Sequence, residues 1–350
     1  MVKNKLNISD DTPFFKIHNR IIKKDSPSLI IAEIGINHLG DEDLCAEMIN
    51  SAIDAGADCV KLQTADASES YHPKSKSYEI FKGSELSIES MQRLSLLAQE
   101  KNSFLFSTPG DLSSLETIKK LNMSAIKVSS GLFLNIPIIR EIAKLNLPII
   151  LSTGMANEEE IDYIVTFLKK LSVKNFSILH CVSLYPASDH TLNLSYIDKI
   201  SNNYNLISGY SDHSEGYLAC VAAVCMGAKI IEKHYTTDNN IKGADNSISL
   251  DTENFRRMCQ EIRQVESMIY GNKSKPYFEE KELKNLRYRK IVAKRDIEIG
   301  EVIDIDNVYF MRLHENAESI DAFEWDNIVG TKASSKINKL VPITIDKLKK

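Results

Sequence analysis

Two histidines, His213 and His234, stand near the ends of the stretch SDHSEGYLACVAAVCMGAKIIEKHYT, with an apolar, helix-like run between them. Two neutral imidazoles that leave positions open to water and substrate suit a catalytic divalent metal better than a closed structural zinc site. The same spacing also fits a helix-capping His213 and a core His234 bonded to backbone. Lys61 and Lys127 lie in the otherwise apolar runs CVKLQT and AIKVSS, where a long cation is costly unless it reaches an anion. With Thr108, Ser130, Ser152 and Ser211 as hydroxyl donors, the two lysines compose a pocket for a small phosphate or carboxylate. Taken singly, either lysine could equally reach solvent. Glu33, in IAEIGINH, is a carboxylate available for proton transfer or for orienting a metal-bound water, or else for a buried ion pair with a strand-end lysine.

Residues this far apart meet only if the elements carrying them converge. Short β-branched runs alternate with amphipathic stretches: SLIIAEIG, then a helix near 41–55; CVKLQT, then one near 88–101; FLFST, then one near 112–121. AIKVSS, PIILST, FSILHCVS, LISGYS and AKIIEKHYT continue the rhythm, eight candidate strands in all. Runs apolar on both faces and separated by helices imply parallel strands buried under helices, and eight such units predict a closed (β/α)8 TIM barrel. An open doubly wound sheet is the alternative, but no GxGxxG follows the first strand. Polar residues gather at the strand ends: Glu33, Lys61, Gln63, Ser107, Thr108, Lys127, Ser129, Ser130, Ser152, Thr153, His180, Ser208, Ser211, Glu232 and His234. In a barrel these are expected to face a site at its top. His213 follows the seventh strand, a helix near 215–226 crosses outside, and the eighth strand returns His234 to the same face.

Composition excludes other classes. The 350 residues are 43% apolar and 26% charged with a net charge of -5, so there is no basic stripe for nucleic acid. No run reaches the length of a membrane span, and the opening MVKNKLNISDDTPFF has no signal-peptide core, so a cytosolic location is expected. Cys45, Cys59, Cys181, Cys220, Cys225 and Cys259 sit in apolar segments without CxxC spacing, which predicts free, buried thiols. After the charged stretch NKSKPYFEEKELKNLRYRK, IVAKRDIEIGEVIDIDNVYFMR has short strands and a turn, a small all-β module. The expected organisation is a barrel over 1–269, a linker over 270–289 and a β-domain over 290–350.

IIAEIGINHLG, AGADCVKLQT, YEIFKGSELS, FSTPGD, LPIILSTGM, LHCVSLYP, GYSDHSEG, IIEKHYT and KGADNSISL resemble, in order, the motifs of the sialic acid synthase family. The likeness runs from FKIHNRII to the C-terminus. It implies a (β/α)8 barrel followed by an antifreeze-like β-clip domain. The activity it implies is condensation of phosphoenolpyruvate with an N-acetylated aldose and water to a nine-carbon 2-keto-3-deoxy sugar acid plus phosphate. By motif, Glu33 is the implied catalytic carboxylate, and His213 and His234 the ligands of a divalent metal, Mn2+ with Mg2+ or Co2+ as alternatives. Lys61, Thr108, Lys127, Ser130, Ser152 and Ser211 are implied to hold phosphoenolpyruvate. Gln63, Tyr185 and Asp245 are implied sugar contacts, joined by Arg312 from the β-domain. A domain-swapped homodimer, with Arg312 serving the partner's barrel, is implied as well.

The chain departs from the family pattern mainly in the sugar set. Leu132 replaces a glutamate after Ser130-Gly131, Ser183 stands where many members have asparagine, Gly110 replaces Phe, and Gly243-Ala244-Asp245-Asn246 replaces GPDH. These departures leave the acceptor open between N-acetylmannosamine, its 6-phosphate, and a deoxy diacetamido sugar leading to legionaminic- or pseudaminic-type acids. A Schiff-base aldolase using Lys127 or Lys61, and a non-catalytic carbohydrate-binding protein, are the other classes considered.

Overall fold

The computed structural model describes residues 12–270, 275, 277–314 and 317–349, and the chain forms two compact units, Met1–Tyr270 and Gly271–Lys350. Residues 1–11, where no signal segment is expected, and 271–274 and 276 of the expected linker lie outside the described residues. A hairpin comes first, β1 (Phe15–Ile17) and β2 (Arg20–Ile22). Eight parallel strands follow: β3 (Leu29–Gly35), β4 (Cys59–Thr64), β5 (Leu105–Pro109), β6 (Ile126–Val128), β7 (Ile149–Ser152), β8 (Phe176–Cys181), β9 (Ser208–Asp212) and β10 (Ile230–His234). They close in chain order, with β10 pairing β3. The open sheet is thereby excluded. Among the described residues no helix is long and apolar enough to cross a membrane.

The crossover helices form where capping and apolar spacing agree. Asp41 accepts from the Leu44 amide to start Glu42–Asp54, whose Cys45, Met48, Ile49 and Ala52 recur on one face and are buried. Asn157 and Glu160 make a capping box for Glu158–Lys170, which buries Ile161, Ile164, Val165 and Leu168. The helix expected near 215–226 is shorter, Leu218–Cys225, because Asp212 Oδ1 accepts from the Ser214 amide and keeps the chain turned after β9.

Two apolar layers hold the barrel. Outward residues such as Ile30, Ala32, Val60, Leu62 and Ile126 pack under the helices. Inward residues Leu29, Ile31, Cys59, Phe106, Ile150, Leu179, Ile207 and Ile230 fill the lower interior, and Phe15, Ile17 and Ile22 of the hairpin join them as a plug. The period of two along a strand then makes the next inward residues Glu33, Lys61, Lys127, Ser152 and Glu232. Register brings them level: Glu33 lies opposite His234 on one side and Lys61 on the other, and Ser211 lies opposite Glu232.

All six thiols are free, and five are buried as expected; Cys225 is exposed, a correction that follows from its place as the last residue of a crossover helix. In the second unit β11 (Lys290–Ala293) pairs antiparallel with β12 (Val308–Met311), and β13 (Lys332–Ala333) with β14 (Leu348–Lys349). Ile291, Ile297, Ile303, Val308, Ile337 and Ile343 are in its core. The charged stretch read as linker carries a helix, Phe278–Arg287.

Candidate active site

A cavity of about 380 Å³ opens where the barrel strands end. Glu33, Lys61, Gln63, Lys127, Ser130, Ser152, Tyr185, Ser211, His213, His234 and Asp245 all line it, as do Ser129, Ser183 and Glu232. Eleven of the thirteen expected site residues therefore share one chamber. Thr108 sits beside it and accepts a hydrogen bond from Lys61 Nζ at 3.2 Å. Arg312 follows β12 in the second unit, is exposed, and its Nε donates to the Arg287 carbonyl at 3.2 Å.

On the cavity floor two cations and two anions alternate. Lys61 Nζ lies 2.8 Å from Glu33 Oε2 and 3.7 Å from Glu232 Oε1, and Lys127 Nζ lies 3.5 Å from the same Glu232 oxygen. Ser152 Oγ is 2.6 Å from Lys127 Nζ, Ser211 Oγ donates to Glu232 Oε1 at 3.0 Å, and Gln63 Nε2 donates to Glu33 Oε1 at 3.0 Å. The two carboxylates diverge in character. Burial, reinforced by the Glu232 charge, raises the Glu33 pKa against the pull of Lys61. Burial works on Glu232 too, but Lys127 and Lys61 together overcome it and hold Glu232 below the usual carboxylate range. Burial lowers Lys127, whereas on Lys61 the charges of Glu232 and Glu33 outweigh it. Glu33 is thus placed to take and release a proton while Glu232 stays charged.

Glu232 is the residue whose importance the sequence reading understated. Its signal is positional: it stands two residues before His234 on the same strand, hence on the same inward face.

The two imidazoles meet as expected, ring centroids 5.4 Å apart. His213 Nδ1–H donates to the Val182 carbonyl at 2.9 Å, which leaves Nε2 as acceptor toward the Tyr185 hydroxyl, also at 2.9 Å. His234 Nδ1 is buried without a hydrogen-bond partner, 3.9 Å from Asp245 Oδ2, and burial lowers its pKa to about 4. Burial opposes protonation of His213, but Cys181 and the Val182 carbonyl reverse the direction and raise its pKa. Among the described residues no three or more His, Cys, Asp or Glu side chains cluster as a metal cage.

Behind the histidines runs a second buried pair. Lys233 Nζ lies 2.7 Å from Asp212 Oδ2 with both side chains at 0% exposure, and it also donates to the Ser214 carbonyl at 2.6 Å. Asp212 precedes His213 and Lys233 precedes His234, so this ion pair ties the two strand ends together on their outer face. Not every strand-end polar residue points inward. His180 bonds the Leu192 carbonyl at 2.6 Å, Ser107 the Leu62 carbonyl and Ser208 the Ile197 carbonyl, because their strand parity turns them toward the helices. At one turn a glycine is required: Gly154 has φ +49°, and a Cβ there would lie 2.2 Å from Ser130 Cβ and 2.6 Å from Ser183 Oγ.

The fold and the site define a (β/α)8 enzyme with its polar chamber at the carboxyl ends of the strands. Residues 48–275 match the NeuB family and residues 288–349 the SAF domain, and the chain belongs to the NeuB family of synthases. It is 35% identical to the N,N'-diacetyllegionaminic acid synthase of Campylobacter jejuni over 88% of this chain and 96% of that protein. With the N-acetylneuraminate-9-phosphate synthase of Mus musculus it shares 32% identity over 80% of this chain and 82% of that one. The crystal structure of N-acetylneuraminic acid synthetase from Leptospira borgpetersenii superposes with a TM-score of 0.74 at 34% identity, covering 78% of this chain and 97% of that one.

Proposed function

We propose that this chain condenses phosphoenolpyruvate with an N-acetylated aldose, N-acetylmannosamine or a related amino sugar, and water, giving a nine-carbon 2-keto-3-deoxy sugar acid and phosphate in the cytosol. The observation that carries this reading is the chamber itself, which Lys61 and Lys127 line together with Ser130, Ser152 and Ser211, Ser152 Oγ lying 2.6 Å from Lys127 Nζ. A donor bearing both a carboxylate and a phosphate needs two cations and several donors in one place. Thr108 acts through Lys61, whose ammonium it holds.

The residues fit a divalent metal: His213 Nε2 and the unpartnered His234 Nδ1 face the same chamber. Such a metal, Mn2+ or else Mg2+ or Co2+, would supply Lewis acidity to the acceptor's aldehyde oxygen. The protein's own groups do the rest. The lysines hold the donor so that its C3 faces the aldehyde carbon and the new C–C bond forms between them. Water then adds at C2, and the C–O bond to phosphate breaks. Glu33, with its raised pKa, takes a proton from the adding water and passes it to the aldehyde oxygen, which becomes a hydroxyl. As phosphate leaves with the electron pair of the C–O bond, the C2 hydroxyl gives its proton to phosphate and becomes the ketone. Gln63 orients the Glu33 carboxylate at 3.0 Å. Gln63, Tyr185 and Asp245 line the same chamber and are the proposed sugar contacts.

The test is phosphate release from phosphoenolpyruvate with Mn2+ and a panel of N-acetylated hexoses. Release should depend on the acceptor and stop on chelation. His213→Ala or His234→Ala should abolish turnover and weaken Mn2+ binding while the fold persists. Chelator-insensitive turnover in either variant would refute the metal reading. The lowered Lys127 pKa also suits a Schiff-base amine. Borohydride inactivation with a covalent adduct on Lys127 would favour that second reading.

A further inference from the structure

The strand ends SDHS and EKH put an acid immediately before His213 and a base immediately before His234. Neighbours along a strand face opposite ways, so Lys233 points toward the helices while His234 faces the chamber, and register sets Lys233 level with Asp212. Neither charged side chain lines the chamber. Their contacts converge instead on the backbone that carries His213. Asp212 Oδ1 accepts from the Ser214 amide at 2.8 Å and from the Tyr210 hydroxyl at 2.9 Å. Its Oδ2 accepts from Lys233 Nζ at 2.7 Å and from the Cys220 thiol at 3.4 Å. The same ammonium donates to the Ser214 carbonyl at 2.6 Å.

Residues 212 and 214 are thereby held on either side of His213, whose own carbonyl accepts from the Ala187 amide at 2.9 Å. The cross-link reaches this turn from the residue before His234, so one ion pair couples the backbone positions of both imidazoles. Fold stability alone does not account for such a pair. Asp212, Lys233, Ser214, Tyr210 and Cys220 are all buried, and an apolar pair of similar volume holds a core as well as a buried ion pair or better. What charged hydrogen bonds add is direction. Ligation by imidazole is itself directional, because the lone pair lies in the plane of the ring, and contacts that fix ligand rings from outside are worth about 10- to 100-fold in metal affinity.

We propose that Asp212 and Lys233 are positioning residues that set the separation and the direction of the His213 and His234 rings toward a divalent cation, with Tyr210 holding the Asp212 carboxylate in place. The proposal rests on the metal reading above. It assigns the pair a role through the two histidines, with no contact to either substrate.

The experiment titrates Mn2+ into metal-free protein, following the resonance of free Mn2+, and records the visible absorption of bound Co2+ at saturation. Asp212→Asn combined with Lys233→Met keeps an oxygen for the Ser214 amide and leaves no lone buried charge. This double variant should fold, bind Mn2+ about 10- to 100-fold more weakly and shift the Co2+ absorption. Tyr210→Phe keeps the ion pair and removes one donor to Asp212, and it should weaken Mn2+ binding about threefold. A pair that only supported the fold would lower the denaturant midpoint of the metal-free protein and move neither metal readout; that result would overturn the proposal. If the double variant does not fold, unchanged Mn2+ affinity in Tyr210→Phe would overturn it. Unaltered protein that takes up no Mn2+ would instead overturn the metal reading, and this proposal with it.

Discussion

At the scale of single residues, the chamber floor is a balance of two buried positive and two buried negative charges, and the balance predicts how it breaks. Removing one member of an isolated buried ion pair costs about 3–5 kcal/mol because the partner is left uncompensated. Lys127→Met should cost clearly less. Burial already raises the Glu33 pKa, so this carboxyl can take up a proton and restore neutrality, while Glu232 keeps Lys61 and Ser211. On the proposed reading phosphoenolpyruvate would lose one of its two cations, and kcat/KM should fall by about 100-fold or more, the equivalent of about 2.7 kcal/mol or more. Denaturant melts beside kinetics check both parts. A stability loss of the full isolated-pair size would show that Glu33 does not buffer the floor.

At the scale of elements, the segments after β4 and β5 are joined by one carboxylate. Asp111 caps the helix Leu112–Lys120 by accepting from the Ser114 amide at 2.7 Å, and it also accepts from the Asp66 amide at 2.8 Å and the Ser70 hydroxyl at 2.7 Å. Burial tends to raise its pKa, but these donors prevail and lower it. A carboxylate with a lowered folded pKa contributes stability that is complete above its unfolded value and is lost as pH falls through the folded one. Asp111→Ala should therefore cost about 1–2 kcal/mol at neutral pH, and the gap from the unaltered protein should narrow below about pH 4. Melts at pH 7 and pH 3 decide it; a gap that is the same at both would contradict the charge-based account.

At the scale of the whole molecule, the chain holds a barrel unit with the chamber and a second unit that carries Arg312. We propose that Arg312 completes the acceptor site of a second copy, its guanidinium reaching an acetamido oxygen. Mixing tests this. Glu33→Gln and Arg312→Ala, each inactive alone, should regain activity when subunits exchange, because one site of the mixed dimer has both groups intact. Verified heterodimers that remain as inactive as the separate variants would exclude a role in trans.

The sequence by itself determined the barrel, since eight apolar runs alternating with capped amphipathic helices leave few other ways to bury both faces of each strand. It also determined which residue types stand at the strand ends, and so that Glu33, Lys61, Lys127, His213 and His234 converge. Several things were decided only by tertiary structure. The hairpin plug of Phe15, Ile17 and Ile22 has no periodicity long enough to read, and its meaning comes from the barrel floor it fills. Strand parity sorted His180, Ser107 and Ser208 outward, and register made Glu232 the shared partner of both lysines. A side cavity of about 250 Å³ next to the chamber is lined by residues at and after three different strands, β4, β5 and β6, and so belongs to no single stretch of chain. Local patterns specify which face of an element is buried, but distances between elements follow from how all the side chains pack at once.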